Sequence, residues 1–241
     1  MTDFLSKGEH VVGVDIGGTK LMVVVYDHTF KEKGRNKRKS KSKKGEPTEE
    51  RLTRTIQEAL EDAKVTSVQG IGVGSPGPLN PKTGVIIDTP NLAWKDFPLA
   101  EYLKKQFKTP VVVDNDVNVG TYGEYRFGEI SDCESVLGVF PGTGIGAGII
   151  IDRKIFYGFS GAAGEFGHMT IQVDGPYCGC GKRGQAGSRF RAHATDYQIG
   201  GQAVRAASHG HGRLPRSASF RWRIQSSVLD AQPPLARLLF R

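Results

Sequence analysis

Three groups of residues in this 241-residue chain have types and spacing suited to chemistry. The first is Asp15, Gly17, Gly18, Thr19 and Lys20, set between two β-branched runs. Adjacent glycines let the backbone approach a ligand and turn its N–H groups toward it. A hydroxyl and an ammonium follow, and both suit a phosphate; the acid before them suits a hydrated cation. The same residues also read as an ordinary Gly-Gly hairpin. The second group, Gly142-Thr143-Gly144-Ile145-Gly146, repeats the glycine–threonine turn between another pair of apolar runs. The third is Asn115-Asp116 at the end of a short apolar run. A carboxylate there can take a proton from a bound hydroxyl, or it can cap a following helix.

The elements that must hold these residues follow from periodicity. Val11–Asp15 and Val23–Val25 read as strands around the first turn. Thr48–Lys64 has helical spacing at Leu52, Ile56, Ala59, Leu60 and Ala63, with Thr48 as its cap. Val68–Gly74 is a buried strand running into a Gly/Pro-rich loop over 74–84. A short strand at Val85–Ile87 leads into the stretch 88–94, and a helix from Pro98 to Phe107 has its proline in the first turn. Val111–Val113 is a strand, followed by a helix through Tyr122 and Phe127. Val136–Phe140 and Ile145–Ile151 are a second strand pair. Strands alternating with helices predict an α/β chain with mixed sheets. The pattern strand, Gly-Thr turn, strand occurs twice, and two such halves suggest a ligand held between two domains.

Composition narrows the classes. No apolar run is long enough for a membrane span, and the N-terminal ten residues lack a signal-peptide core. Three cysteines, two of them in Cys178-Gly179-Cys180, do not make a disulfide framework, so a reducing, cytoplasmic setting is expected. Between Lys31 and Gly45 stand nine basic residues and one acid. Without interleaved aromatics for base stacking, this run is read as the charged face of a sheet edge rather than as a nucleic-acid site.

Taken in order, Asp15-x-Gly17-Gly18-Thr19-Lys20, Asn115-Asp116, Gly142 to Gly146, Gly164-Glu165-Phe166-Gly167-His168 and Cys178-x-Cys180-Gly-x-x-Gly184 resemble the ROK family of sugar kinases and repressors, over residues 10–184. The stretches at 72–79 and 88–99 look most like its glucokinase members. The resemblance implies a two-domain actin-like ATPase (ribonuclease H-like) fold with mixed sheets. It implies an ATP-dependent kinase for a hexose, glucose first, or for another sugar such as fructose, allose or an N-acetylated amino sugar. The two glycine turns would cradle the ATP phosphates, through Asp15, Gly17, Gly18, Thr19 and Lys20 on one side and Gly142, Thr143, Gly144 and Gly146 on the other. Asp15 would hold Mg2+ through water, and Asp116 would be the catalytic base. Gly74, Asn91, Asn115, Asp116, Glu165 and His168 would meet the sugar. Glu165 and His168, three apart, would share a face of one helical turn. His168, Cys178 and Cys180 resemble three ligands of the family's structural zinc. Gln185 stands where the pattern has a third cysteine and Gly187 where it has a glutamate, so the set is a ligand short and weighs against zinc. A repressor would need a DNA-binding unit ahead of the first strand, and the ten residues there are too few.

The resemblance stops after Gly184. Residues 185–241 hold nine arginines, no lysine and two acids. A basic tail that could bind nucleic acid is one reading; a shifted reading frame is the other. Lost lysines favour the second, as does a codon choice for Gln185–Ser188 whose shifted reading gives Arg-Leu-Glu. The expected organisation is a first α/β domain over 10–117, the start of a second over 118–184, and a non-family tail over 185–241. Such a shortened chain is expected to carry the catalytic residues yet turn over weakly or not at all, and the homo-oligomers common in the family leave the assembly of this chain open.

Overall fold

The computed structural model describes residues 5–40, 45–89, 91–128, 130–141 and 144–188. The expectations placed on Gly142, on Thr143 and on the tail from residue 189 lie outside the described residues. Among the described residues the chain forms two compact units that part between Val119 and Gly120, inside a helix.

The first unit is built on a five-stranded mixed sheet. Its strands β1 (His10–Ile16), β2 (Lys20–Asp27) and β3 (Glu32–Lys39) run antiparallel in succession. After α1 (Thr48–Ala63), β4 (Ile71–Ser75) pairs parallel with β1. A small antiparallel sheet of β5 (Leu79–Asn80), β6 (Val85–Thr89) and β7 (Trp94–Phe97) follows. Then come α2 (Leu99–Phe107) and β8 (Val111–Asn115), which pairs parallel with β4. The sheet order is β3-β2-β1-β4-β8. Strands β1 and β2 are apolar on both faces, as a sheet covered on both sides requires. Val12, Val14, Ile16, Leu21, Val23 and Val25 join Leu52 and Ile56 of α1 and Leu99 and Leu103 of α2 in one core.

Residues 32–39 of the basic run form the edge strand β3, where Arg35 pairs with Glu32. Arg38 pairs with Glu58 of α1, Asn36 donates to the same carboxylate at 2.7 Å, and the Arg35 N–H donates to Asp62 at 3.0 Å. Gly34 lets the strand lie against the helix: a Cβ there would sit 2.6 Å from the Ala59 carbonyl oxygen.

Some boundaries differ from expectation. Strand β4 starts at Ile71, not Val68. Pro98 precedes α2 rather than standing in its first turn. Thr48 is already helical and does not cap; its hydroxyl donates to the Leu92 carbonyl at 3.1 Å, so a tertiary partner outcompetes the local one.

In the second unit, α3 (Asp116–Phe127), which starts in the first unit, leads to a three-stranded antiparallel sheet of β9 (Val136–Pro141), β10 (Ile145–Ile151) and β11 (Lys154–Ile155). Thr121 of α3 lies against β9 at Gly138, where a Cβ would be 2.4 Å from its hydroxyl oxygen. A 3-10 turn at Phe166–His168 follows. Gln185–Ser188, expected to lie beyond the ordered part, pack into this unit: Gln185 bridges Thr170, and Gln185 and Ser188 are buried.

Candidate functional site

Register places three motifs at one end of the sheet. Asp15 pairs with Gly74 and Gly74 with Asp114, and one step on Ser75 pairs with Asn115. The C-terminal ends of the parallel strands β1, β4 and β8 therefore carry the Gly17–Lys20 turn, the loop after Gly74, and Asn115-Asp116. Ligands in open α/β sheets bind outside such carboxyl ends.

The turn after β1 is tight: the Gly17 N–H donates to the Lys20 carbonyl at 2.8 Å. Gly18, Thr19 and Lys20 are exposed. Behind them Ser40, fully buried, donates its hydroxyl to the Gly17 carbonyl at 2.6 Å and its N–H to the Thr19 carbonyl at 2.9 Å. The turn's carbonyls are thus held toward the protein. Nothing in the sequence singled out Ser40, a small polar residue at the end of a basic run.

Asn91 comes from the loop between β6 and β7. That loop is anchored at buried Leu92 and Trp94, by Thr48 on the Leu92 carbonyl and by the Trp94 indole N–H donating to Glu49 at 3.0 Å. Its amide nitrogen lies beside the turn, 3.8 Å from where a Gly18 Cβ would be. Asn115 closes the start of α3: its Oδ1 accepts the N–H groups of Val117 at 3.0 Å and Asn118 at 3.2 Å. Asn115 therefore does the capping considered for Asp116, and its Nδ2 lies 3.7 Å from where a Gly77 Cβ would be. Asp116, half-buried, accepts the Val117 N–H at 2.9 Å through Oδ1. The neighbouring Asp114 is buried and accepts the Asn115 N–H at 2.6 Å, a residue the sequence reading passed over.

In the second unit Gly144 and Gly146 flank the start of β10, with Gly142 and Thr143 outside the described residues. Glu165 and His168 do share one turn, with His168 Nε2 3.9 Å from the Glu165 carboxylate. They lie directly against β10: Cβ atoms at Gly164 and Gly167 would come 2.0 Å from the Ala147 and 2.2 Å from the Ile145 carbonyl oxygens. The ligand atoms of His168, Cys178 and Cys180 lie within 4.8 Å of one another. Gln185 stands among them: its Oε1 is 2.9 Å from His168 Nδ1 and 3.0 Å from Cys180 Sγ. That hydrogen bond to Gln185 holds the His168 pKa above the ordinary value.

The sequence model of the ROK family matches residues 11–188. The chain belongs to the ROK family. Its match takes in Gln185–Ser188, in keeping with their packing. Among ROK relatives, the glucokinase of Streptomyces coelicolor is 38% identical over 174 residues, 72% of this chain and 53% of that protein. A putative xylose repressor of Caldicellulosiruptor is 36% identical, over 72% of this chain and 44% of that protein. A crystal structure of a ROK family glucokinase from Streptomyces griseus in complex with glucose and AMPPNP is 36% identical, with a TM-score of 0.62, covering 73% of this chain and 55% of that one. The fold is the two-domain actin-like α/β fold of ROK sugar kinases, and this chain spans about half the length of the relatives it matches. Among the described residues, no helix is long and apolar enough to cross a membrane.

Proposed function

We propose that this ROK chain carries the site of an ATP-dependent hexose kinase that converts glucose to glucose 6-phosphate. The observation that supports this most is the row Asp15, Gly74, Asp114. It puts a glycine turn, a glycine loop and an Asn-Asp pair at one sheet end. Phosphoryl transfer asks for positioning and charge neutralisation, and these groups offer both. Gly17, Gly18, Thr19 and Lys20 would receive phosphate from the first unit, with Gly142, Thr143, Gly144 and Gly146 in the second. Asp116 would accept the proton of the attacking hydroxyl. The amide of Asn91, the Nδ2 of Asn115 and the loop at Gly74 would orient the sugar, together with Glu165 and His168. The half-buried carboxylate of Asp15 is a hard oxygen donor of the kind Mg2+ takes; when bound, the ion would neutralise phosphate charge. The glucose and AMPPNP of the Streptomyces griseus structure are consistent with this reading.

The similarity to a xylose repressor favours one alternative, a sugar sensor without turnover. Calorimetric titration of the 241-residue chain with glucose, fructose, allose and an N-acetylated amino sugar, each with and without a non-hydrolysable ATP analogue, separates the two. Glucose preferred, with the analogue also bound, supports the kinase; formation of glucose 6-phosphate from ATP completes it. Sugar binding with no affinity for the analogue supports the sensor. Preference for another sugar moves the substrate.

A further inference from the structure

We infer that Gln185 closes the His168–Cys178–Cys180 cluster by hydrogen bonding, so that this chain holds the loop over 168–185 without zinc. A structural zinc site uses four ligands, with thiolate sulfurs and neutral imidazole nitrogens. Three such residues are present, and the place of a fourth is taken by an amide that is already engaged. Gln185 is 1% exposed. Its Nε2 donates to the His168 carbonyl at 2.8 Å. Its Oε1 is 2.9 Å from His168 Nδ1 and 3.0 Å from Cys180 Sγ. A carbonyl oxygen has two lone pairs, and here an imidazole N–H and a thiol S–H take both.

The consequence for His168 is specific. Oε1 can only accept, so Nδ1 carries the proton and has no lone pair for a metal. A cation would have to displace that proton and the Cys180 thiol proton, leaving a buried amide oxygen without its donors. The glutamine also does for His168 what a metal on Nδ1 would do. It fixes the ring and commits Nδ1, leaving Nε2 on the side of Glu165. The loop has further closures of its own: the Gly184 carbonyl accepts from Ile171 and Gln172, and the Cys178 N–H donates to Lys182 at 2.7 Å. Where the family resemblance implies a third cysteine, Gln185 makes a hydrogen-bonded clasp instead.

The test is the zinc content of the full chain and of Gln185→Cys, both purified from zinc-supplemented medium and passed through chelator. The native chain is expected to retain less than about a tenth of a zinc per chain, because its donor set is incomplete. Gln185→Cys is expected to retain about one, with zinc affinity at least ~100-fold higher in competition with a chromophoric chelator. Near-stoichiometric zinc in the native chain overturns the inference, and so does a Gln185→Cys chain that gains none. Should the cysteine variant fail to fold, limited proteolysis of the native chain and of Gln185→Ala decides. Faster cleavage between 169 and 184 in the alanine variant, unaffected by added zinc in the native chain, supports the clasp. Equal cleavage rates, or protection of the native loop by zinc, overturn it.

Discussion

The Ser40 hydroxyl donates to the Gly17 carbonyl over 2.6 Å, tying the end of the edge strand to the turn proposed to receive phosphate. Ser40 is fully buried, so water cannot replace it there. Ser40→Ala removes the donor while leaving the acceptor in place, a loss of about 1 to 2 kcal/mol. The variant is expected to melt a few degrees lower, about 2–4 °C per kcal/mol for a chain of this size. A turn freed of its pin should also bind nucleotide less well. Calorimetry with an ATP analogue should show weaker binding while glucose binding is unchanged. Equal nucleotide affinity in the two proteins would detach Ser40 from the turn's function.

Asn115 and Asp116 are neighbours with separable work. Because Asn115 Oδ1 accepts two N–H groups at the start of α3, Asn115→Ala should destabilise the fold by about 1 kcal/mol, the usual cost of a lost cap. Asp116→Asn keeps shape and should keep sugar binding. Relative to the weak turnover expected of this shortened chain, the rate should fall by at least ~100-fold, the scale of general base catalysis. Thermal melts, sugar titration and initial rates on both variants distinguish the roles. If Asp116→Asn turned over at the native rate, Asp116 would not be the base.

How much of this was readable in advance depends on the range of the forces involved. Strand and helix periodicity at Leu52, Ile56 and Ala59 is local, and α1 lies where the pattern puts it. The glycine motifs were visible, but the reason for several of them was not. Gly34, Gly138, Gly164 and Gly167 are needed because a distant backbone or side chain passes too close for a Cβ, and a contact of that kind leaves no local trace. Thr48 shows the same limit: capping is a local expectation, and the Leu92 carbonyl, 44 residues away, overrides it. Ser40 carries no local signal, and Gln185 is visible in the sequence only as a missing cysteine, not as a hydrogen-bonding group. Ser40 meets Gly17, 23 residues away, and Gln185 meets His168, 17 residues away, only once the fold sets them side by side, whereas Asp114 bonds its own neighbour Asn115.

The Asp27 carboxylate at the β2–β3 turn sets a pH dependence. Burial pushes its pKa up, but this is outweighed by the Thr29 hydroxyl and by the N–H groups of Lys31 and Thr29, so the net shift is downward. A carboxyl whose folded pKa is depressed adds stability above its unfolded pKa, about 3.9, and loses it as pH falls through the folded value. Asp27→Ala should therefore lower the melting temperature at pH 7. The gap between variant and native chain should close as the pH is taken below about 4. A gap of the same size at pH 7 and pH 3 would mean that the carboxylate's charge contributes nothing.

The last prediction concerns how β10 positions the Glu165–His168 turn. Gly164 has φ of +88°, and a Cβ there would fall 2.0 Å from the Ala147 carbonyl oxygen. No side-chain rotation relieves a clash between a Cβ and backbone, so Gly164→Ala must lift the segment off the strand or distort β10. Left-handed backbone adds about 1 kcal/mol for a residue with a side chain. Together with the clash, the loss should reach roughly 2 to 4 kcal/mol. Glu165 and His168 stand one and four residues along, so they move with the segment, whereas Asn91 and Asn115 belong to the other unit. Glucose affinity should drop at least ~10-fold on losing two polar contacts. The exposed substitution Gly161→Ser, where a Cβ meets nothing within 4 Å, serves as the control for left-handed strain alone, at φ of +80°. Melting curves and glucose titrations of the three proteins decide the matter. If Gly164→Ala and Gly161→Ser lost the same stability and neither lost sugar affinity, close approach to β10 would not be what sets the Glu165–His168 turn.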